Sequence, residues 1–236
     1  MTYTKRFDGR KAEEMRPIKA EVGVVPNADG SALFAFGETI AIAAVYGPKP
    51  MHPQHMQDPK KGVLRCTYDM LTFSVPERKR PGPNRRSQEI SKVIEWALAP
   101  VLHLEDFPNT VVDVHIMITQ ANASTRCAGI NAASLALAHA GLTMDSLVAS
   151  VSVGKMDTTL VADVIKEEED YEEGEGATDI AMAFAANTGQ LGLIQMDGCI
   201  SSDELKKAVE MGKRACEKIA EIQKKVLKER KKYAEK

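Results

Sequence analysis

The sequence predicts an α+β fold, a single domain of mixed β-sheets packed with helices and closed by a long C-terminal helix. Three observations predict it. Short stretches in which apolar and polar residues alternate recur along the chain. Between them lie segments whose apolar residues recur at three- and four-residue steps, or that are apolar on every side. The segment from Ser202 to Tyr233 is one amphipathic run. At 236 residues, 44% of them hydrophobic and 27% charged, the chain is long enough to bury one core.

In chain order, Ile18, Ala20, Val22 and Val24 share one face of a strand over 18–24. Asn27-Ala-Asp-Gly30 is turn chemistry. Strands over 31–36 and 39–46 follow, joined by a tight Gly37-Glu38 turn. A proline-containing loop over 49–61 leads to a strand over 63–73, and then to a proline- and cation-rich loop over 75–83. Ile90, Val93, Ile94, Ala97, Leu98, Val101 and Leu102 form the stripe of an amphipathic helix, with Asn84 or Ser87 as its N-cap and Pro100 near its end. Val112, Val114, Ile116 and Ile118 face inward from a strand over 111–119. The segment 125–142 reads as a helix buried all round. Strands over 148–153, 159–164, 180–184 and 190–196 complete the sheets. The last helix turns Leu205, Val209, Ile219, Ile222 and Val226 to one side and ends Lys-rich, which suits the negative end of its dipole.

Several classes are excluded. The polar segment 1–19 has no signal-peptide core, and no apolar run approaches the roughly 20 residues that span a bilayer. Cys66, Cys127, Cys199 and Cys216 are scattered, as reduced, mostly packed thiols of a cytoplasmic protein would be. The pair His52 and His55 lacks the further ligands of a zinc site. The net charge of −2 argues against nucleic-acid binding by bulk charge, but its distribution is uneven. Five cations (Arg78, Lys79, Arg80, Arg85, Arg86) stand together without an acid, and seven acids stand between Glu167 and Glu175 without a cation.

Three segments could carry chemistry. Arg85 and Arg86 stand at the positive end of a helix, where two guanidinium forks could hold successive phosphates of a strand, or simply lie in solvent. Ala123-Ser-Thr-Arg126 runs from a strand into a helix, a general anion-cradling arrangement. There Thr125 offers a hydroxyl and Arg126 a guanidinium, although Ser124 or Thr125 could merely cap the helix. Most of the acidic run reads as a solvated loop. Asp179 differs because it abuts the apolar run Ile180 to Phe184, where a carboxylate can bind Mg²⁺ or donate a proton. Tyr46, Tyr68 and Phe73 could stack bases.

Asp8-Gly-Arg10, Arg16-Pro-Ile18, Ala28-Asp-Gly-Ser31, Tyr46-Gly-Pro48, Met51-His-Pro53, Glu77-Arg-Lys79, Asn84-Arg-Arg86 and Ala132-Ala-Ser-Leu-Ala136 together resemble the RNase PH family, over residues 6 to 230. Arg85-Arg86 followed by Glu89-Ile-Ser-Lys-Val-Ile94 is similar to the archaeal exosome branch of that family, in its catalytic subunits. The resemblance implies a single RNase PH-like domain and phosphate-dependent 3′-to-5′ degradation of single-stranded RNA. It implies a hexameric ring shared with a paralogous non-catalytic subunit, and cap proteins that bind RNA. Carried over, Arg85, Arg86 and Arg65 bind RNA, and Ser124, Thr125 and Arg126 bind inorganic phosphate. Asp179 with Asp170 is the catalytic acidic pair, and the pair that would hold Mg²⁺. The family usually carries Gly at position 124. It usually has an Asp six residues before the one matching Asp179; here Glu173 stands there, and Asp170 stands nine before. The step Glu169-Asp170-Tyr171 favours Asp170. Non-catalytic paralogues lack the full set of arginines and acids that this chain carries.

Overall fold

Alternating strands with tight turns give a meander, and β1 (Ile18–Val22), β2 (Gly30–Phe36) and β3 (Thr39–Pro50) form one by antiparallel pairing. The structure is a computed structural model describing residue 3, residues 5–174 and residues 176–229. Two further strands, β4 (Val63–Met70) and β5 (Thr110–Gln120), pair in parallel and complete a five-stranded sheet in the order β1-β2-β3-β5-β4. Parallel neighbours need a crossover, and α1 (Arg85–Leu98) supplies it, burying Ile90, Val93, Ile94, Ala97 and Leu98 as the stripe requires. β4 ends at Met70, not at residue 73. After a last ladder bond from the Leu71 N–H to the Ile118 carbonyl, the chain turns through a Ser74 N–H to Leu71 carbonyl bond, leaving Phe73 72% exposed.

A second sheet is wholly antiparallel: β6 (Val148–Met156), β7 (Thr159–Ala162), β8 (Ala177–Ala185) and β9 (Leu191–Asp197), in the order β7-β6-β8-β9. Between the sheets lies α2 (Thr125–His139), packed on β2 and β3 from one side and β6 from the other. That position explains a helix apolar all round: every residue from Thr125 to Leu137 is buried except Arg126. Both sheets and their helices share one hydrophobic core.

Gly30 does more than make a turn. A Cβ there would lie 2.4 Å from the Ala136 carbonyl oxygen and the Ala140 amide nitrogen, so β2 approaches α2 at a distance only glycine allows. Gly30→Ala is expected to lose about 1–3 kcal/mol of stability by overpacking, read from the urea midpoint at unchanged m.

Two expectations need correction. The last helix, α4 (Ser202–Lys228), fully buries only Ile219 of the predicted large aliphatics. It packs on β6 and β8 through Ala208, Gly212, Ala215, Cys216, Ile219, Ala220 and Gln223, while Leu205, Val209, Ile222 and Val226 are only partly buried. Small residues let the helix approach closely: a Cβ on Gly212 would meet the Met182 side chain at 2.6 Å. The predicted continuation to Tyr233 falls on residues 230–233, outside the described residues. Most of the acidic run is exposed, as expected, but its first part is not a loop. It contains a short helix, α3 (Lys166–Glu169), and Glu168 is fully buried against Arg6 and Tyr3. Among the described residues, no helix is long and apolar enough to cross a membrane.

Candidate active site

A cavity of about 640 Å³ opens where the end of β4, the start of α1, the loop into α2 and strands β6 and β8 converge. Arg78, Lys79, Arg86, Arg126 and Lys166 line it, against the carboxylates Glu77, Glu169 and Asp179. Five cations face three acids there, in a chain whose formal net charge is −2. The sign reverses locally, as a site for anions needs.

The start of α1 uses both predicted caps. Asn84 Oδ1 accepts the Ser87 N–H at 2.7 Å, and Ser87 Oγ accepts the Asn84 N–H at 2.8 Å. This capping box fixes the first turn, from which Arg86 reaches the cavity. Arg85, its neighbour, is exposed and is not among the cavity-lining residues. Lys79 folds back onto Asp69 and the Met70 carbonyl.

The loop into α2 is unusual in its backbone. Ala123 and Ser124 have φ of 52° and 54°, the left-handed region. Such a pair costs energy in residues with a Cβ, which is the physical reason glycine would suit position 124. Ser124 occupies the N-cap position but makes no side-chain cap; its hydroxyl donates to the Val164 carbonyl at 3.0 Å. Thr125 and Arg126 then open α2 on the cavity wall. Arg126 Nη1 donates to Gln195 Oε1 at 2.6 Å, and Gln195 Nε2 donates to Glu89 Oε1 at 2.6 Å. Gln195 on β9 therefore ties the guanidinium of α2 to α1. No sequence signal singles it out.

Asp179 enters from β8, partly buried, with Ser152 Oγ donating to its Oδ1. Burial pushes its carboxyl above the ordinary range, the nearby Glu169 adds to the rise, and the Ser152 hydrogen bond and Arg126 partly oppose it. Asp170, expected as its partner, is 61% exposed, pairs with Lys166 Nζ at 2.6 Å and does not line the cavity. Glu169, one residue earlier, does line it; the sequence placed it beside Asp170 but gave no means of ranking the two. Glu173 is likewise absent from the lining. Among the described residues no group of three or more His, Cys, Asp or Glu gathers to hold a metal. Mg²⁺ commonly uses one or two carboxylates and takes its other ligands from substrate phosphates and water, and Asp179 with Glu169 fits that donor set.

Arg65 lies elsewhere. It forks onto Asp113 (Nε–Oδ1 2.6 Å, Nη2–Oδ2 2.9 Å), which also pairs with Lys49 at 2.7 Å. Burial works against the Asp113 charge, but Arg65 and Lys49 hold its carboxyl below the ordinary range. Arg65 precedes Met70, a lining residue, by five positions in β4, or roughly 16 Å of strand. Of the aromatic residues, Tyr68 is buried, its hydroxyl pushed up to about 12 by that burial. Tyr46 packs edge-on to His115, and Phe73 is free on the surface turn.

The 3′ exoribonuclease family matches in two successive models, domain 1 over residues 14–143 and domain 2 over residues 146–215. Exosome complex component Rrp41 of Thermococcus kodakarensis is 50% identical over 226 residues, covering 96% of this chain and 89% of that protein. Among solved structures, rice (Oryza sativa) Rrp46 superposes with a TM-score of 0.83 at 24% identity, over 94% of this chain and 100% of that one. A chain of the Archaeoglobus fulgidus exosome with RNA bound to the active site gives a TM-score of 0.78 at 20% identity, over 92% of each chain. At those identities the two structures show a shared fold.

Proposed function

Because this chain belongs to the 3′ exoribonuclease family, we propose that it degrades single-stranded RNA from the 3′ end with inorganic phosphate, as the catalytic subunit of an exosome. One observation carries the reading: a net-positive cavity joins Arg86, Thr125, Arg126 and Asp179 from three separate parts of the chain. We further propose a hexameric ring with a paralogous partner subunit, RNA-binding cap proteins above it, and action in the cytoplasm.

The reaction brings two anions together, so concentrated positive charge in a partly desolvated groove is the main requirement. Arg86 neutralises the phosphodiester next to the 3′ end, and Arg85 and Arg65 hold RNA further from the reacting centre. Thr125 and Arg126, with the N–H groups opening α2, orient the attacking phosphate. Its oxygen forms a bond to the terminal phosphorus as the P–O3′ bond breaks, releasing a nucleoside diphosphate and an RNA one nucleotide shorter. Asp179 acts on the departing 3′ oxygen. Its Oδ1 is occupied by Ser152, which leaves Oδ2 to act there, and burial raises its pKa in the direction that suits a proton donor. Asp179 and Glu169 are the residues that would hold Mg²⁺, which would supply positive charge to offset the negative charge of the reacting phosphates.

The test is to assemble the chain with its paralogue, add 5′-labelled single-stranded RNA, Mg²⁺ and phosphate, and identify the released nucleotide. Nucleoside diphosphates are expected, with no release when phosphate is omitted and tail synthesis when diphosphates are in excess. Monophosphates released without phosphate would mean hydrolysis and overturn the reading. Arg126→Ala is expected to reduce kcat/KM for phosphate by about 10²- to 10³-fold, the usual effect of deleting one charge-stabilising donor. Steady-state rates at varied phosphate check it.

A further inference from the structure

We propose that Thr39 is a positioning residue for inorganic phosphate: its buried hydroxyl holds the loop Asn122–Ser124 so that the amide N–H groups of Ala123 and Ser124 face the cavity. The proposal rests on the phosphorolytic reading above. Thr39 follows the Gly37-Glu38 turn of the first hairpin and is fully buried. Its Oγ1 accepts the Asn122 N–H at 2.9 Å and an Arg16 Nη1–H at 3.3 Å. Its single hydroxyl hydrogen is shared between the Asn122 carbonyl at 2.8 Å and the Ala123 carbonyl at 2.9 Å. These bonds all go to the loop or to Arg16, and Thr39 does not itself line the cavity.

The consequence follows from peptide geometry. In a trans peptide the carbonyl and the next N–H point to opposite sides. Turning the carbonyls of Asn122 and Ala123 inward onto Thr39 turns the N–H groups of Ala123 and Ser124 outward, on the side where Ala123, Ser124 and Thr125 line the cavity. The same bonds hold two successive left-handed residues that would otherwise relax. Arg16 braces the arrangement, donating to the Asn122 carbonyl at 2.6 Å while Asp163 grips it through Nε (2.8 Å) and Nη2 (2.6 Å). The Asn122 side chain is held from the far side as well, by the Lys166 N–H at 2.9 Å. Because the Ser124 hydroxyl is spent on Val164, the loop's contribution to an anion is its backbone, and backbone orientation is what Thr39 controls.

The test uses the full chain assembled with its partner subunit. Thr39→Val removes the hydroxyl at nearly constant shape, and Thr39→Ser keeps it. Three quantities are read for each: the KM values for phosphate and for RNA in degradation, and the dissociation constant for inorganic phosphate titrated without RNA. Thr39→Val is expected to raise both phosphate constants by about ten- to a hundredfold, the usual range for misplaced binding groups. KM for RNA should stay unchanged, and Thr39→Ser should restore the phosphate constants. Unchanged phosphate constants in Thr39→Val, or a parallel loss for both substrates that Ser does not rescue, overturn the proposal. If the valine variant does not fold, Thr39→Cys carries the same comparison, because a thiol is a weak donor of similar size; a severalfold rise in the phosphate constants is then expected. The titration separates the two claims. A parent that binds phosphate yet degrades no RNA removes the functional reading and leaves Thr39 to be decided by binding. A parent that degrades RNA, with Thr39→Val keeping its phosphate constants, does the reverse.

Discussion

Replacing Asp179 with Asn is expected to lower kcat by about 10²- to 10⁴-fold, the range for removing a positioned proton-transfer group, while RNA affinity stays at the parent value. The substitution is close to isosteric, and the Asn oxygen can still accept the Ser152 hydroxyl bond that Oδ1 now takes. What disappears is the ability to carry a proton or a negative charge at the departing 3′ oxygen. A stability measurement gives an independent check, and its sign can be worked out. Burial first, then Glu169, raises the Asp179 pKa in the fold. The folded chain therefore binds this proton more tightly than the unfolded one. Its stabilising contribution is complete below the unfolded value, about pH 4, and is lost as pH rises through the raised folded value. Asn does not titrate. Above that value Asp179→Asn should be as stable as the parent or more so, and the gap should narrow as the solution is acidified. A variant that is inactive and also unfolds earlier at neutral pH would indicate a structural carboxylate, not one held in an unfavourable charged form for chemistry.

The elements legible in the sequence were those whose burial follows a period. Ile90, Val93, Ile94, Ala97 and Leu98 bury as α1's stripe because a single neighbouring layer selects one face, and Val112, Val114, Ile116 and Ile118 bury along β5, the last two alternating with exposed His115 and Met117. Where the partner surface demands closeness, the pattern misleads. The α4 contact runs through Ala208, Gly212 and Ala215, which a search for large aliphatics passes over. The site was legible only in pieces. Arg86, Thr125, Arg126 and Asp179 stand on α1, α2 and β8, and no spacing along the chain relates them. The family resemblance supplied that relation, and the geometry refines it: Arg86 lines the cavity where Arg85 does not, and Glu169 does where Asp170 does not. Gln195 and Thr39 carry no local mark at all. Each matters through one hydrogen-bonding atom turned toward another element, which composition and periodicity do not register.

The buried exception in the acidic run leads to the largest expected effect on stability. Glu168→Ala should destabilise the chain by about 3–5 kcal/mol, the cost of leaving a buried charge without its partner. Glu168 accepts from Arg6 through both oxygens, Nε to Oε1 at 2.8 Å and Nη2 to Oε2 at 2.8 Å, and Oε1 also takes the Tyr3 hydroxyl at 2.8 Å. Arg6, 4% exposed, spends its remaining donors on the carbonyls of Glu14, Ala162 and Asp163. Burial works against the Arg6 charge, and the Glu168 hydrogen bond and charge more than offset it. Without Glu168 the guanidinium stays caged by carbonyls, with only Asp8, 4.0 Å from Nε, left as an anion near it. Removing both partners should cost far less than the sum of the single changes, because packed apolar replacements of a buried pair are often neutral. A double-mutant cycle of Arg6→Met and Glu168→Met, read by urea unfolding, measures that coupling. Additive losses would mean that the two groups are stabilised separately and that the N-terminal segment is not fastened to α3 by this pair. The effect should also reach the cavity. α3 carries Lys166 and Glu169 into its wall, so the single variant should raise KM for phosphate at temperatures where the chain is still folded. The double variant, with the helix held by packing, should recover most of it.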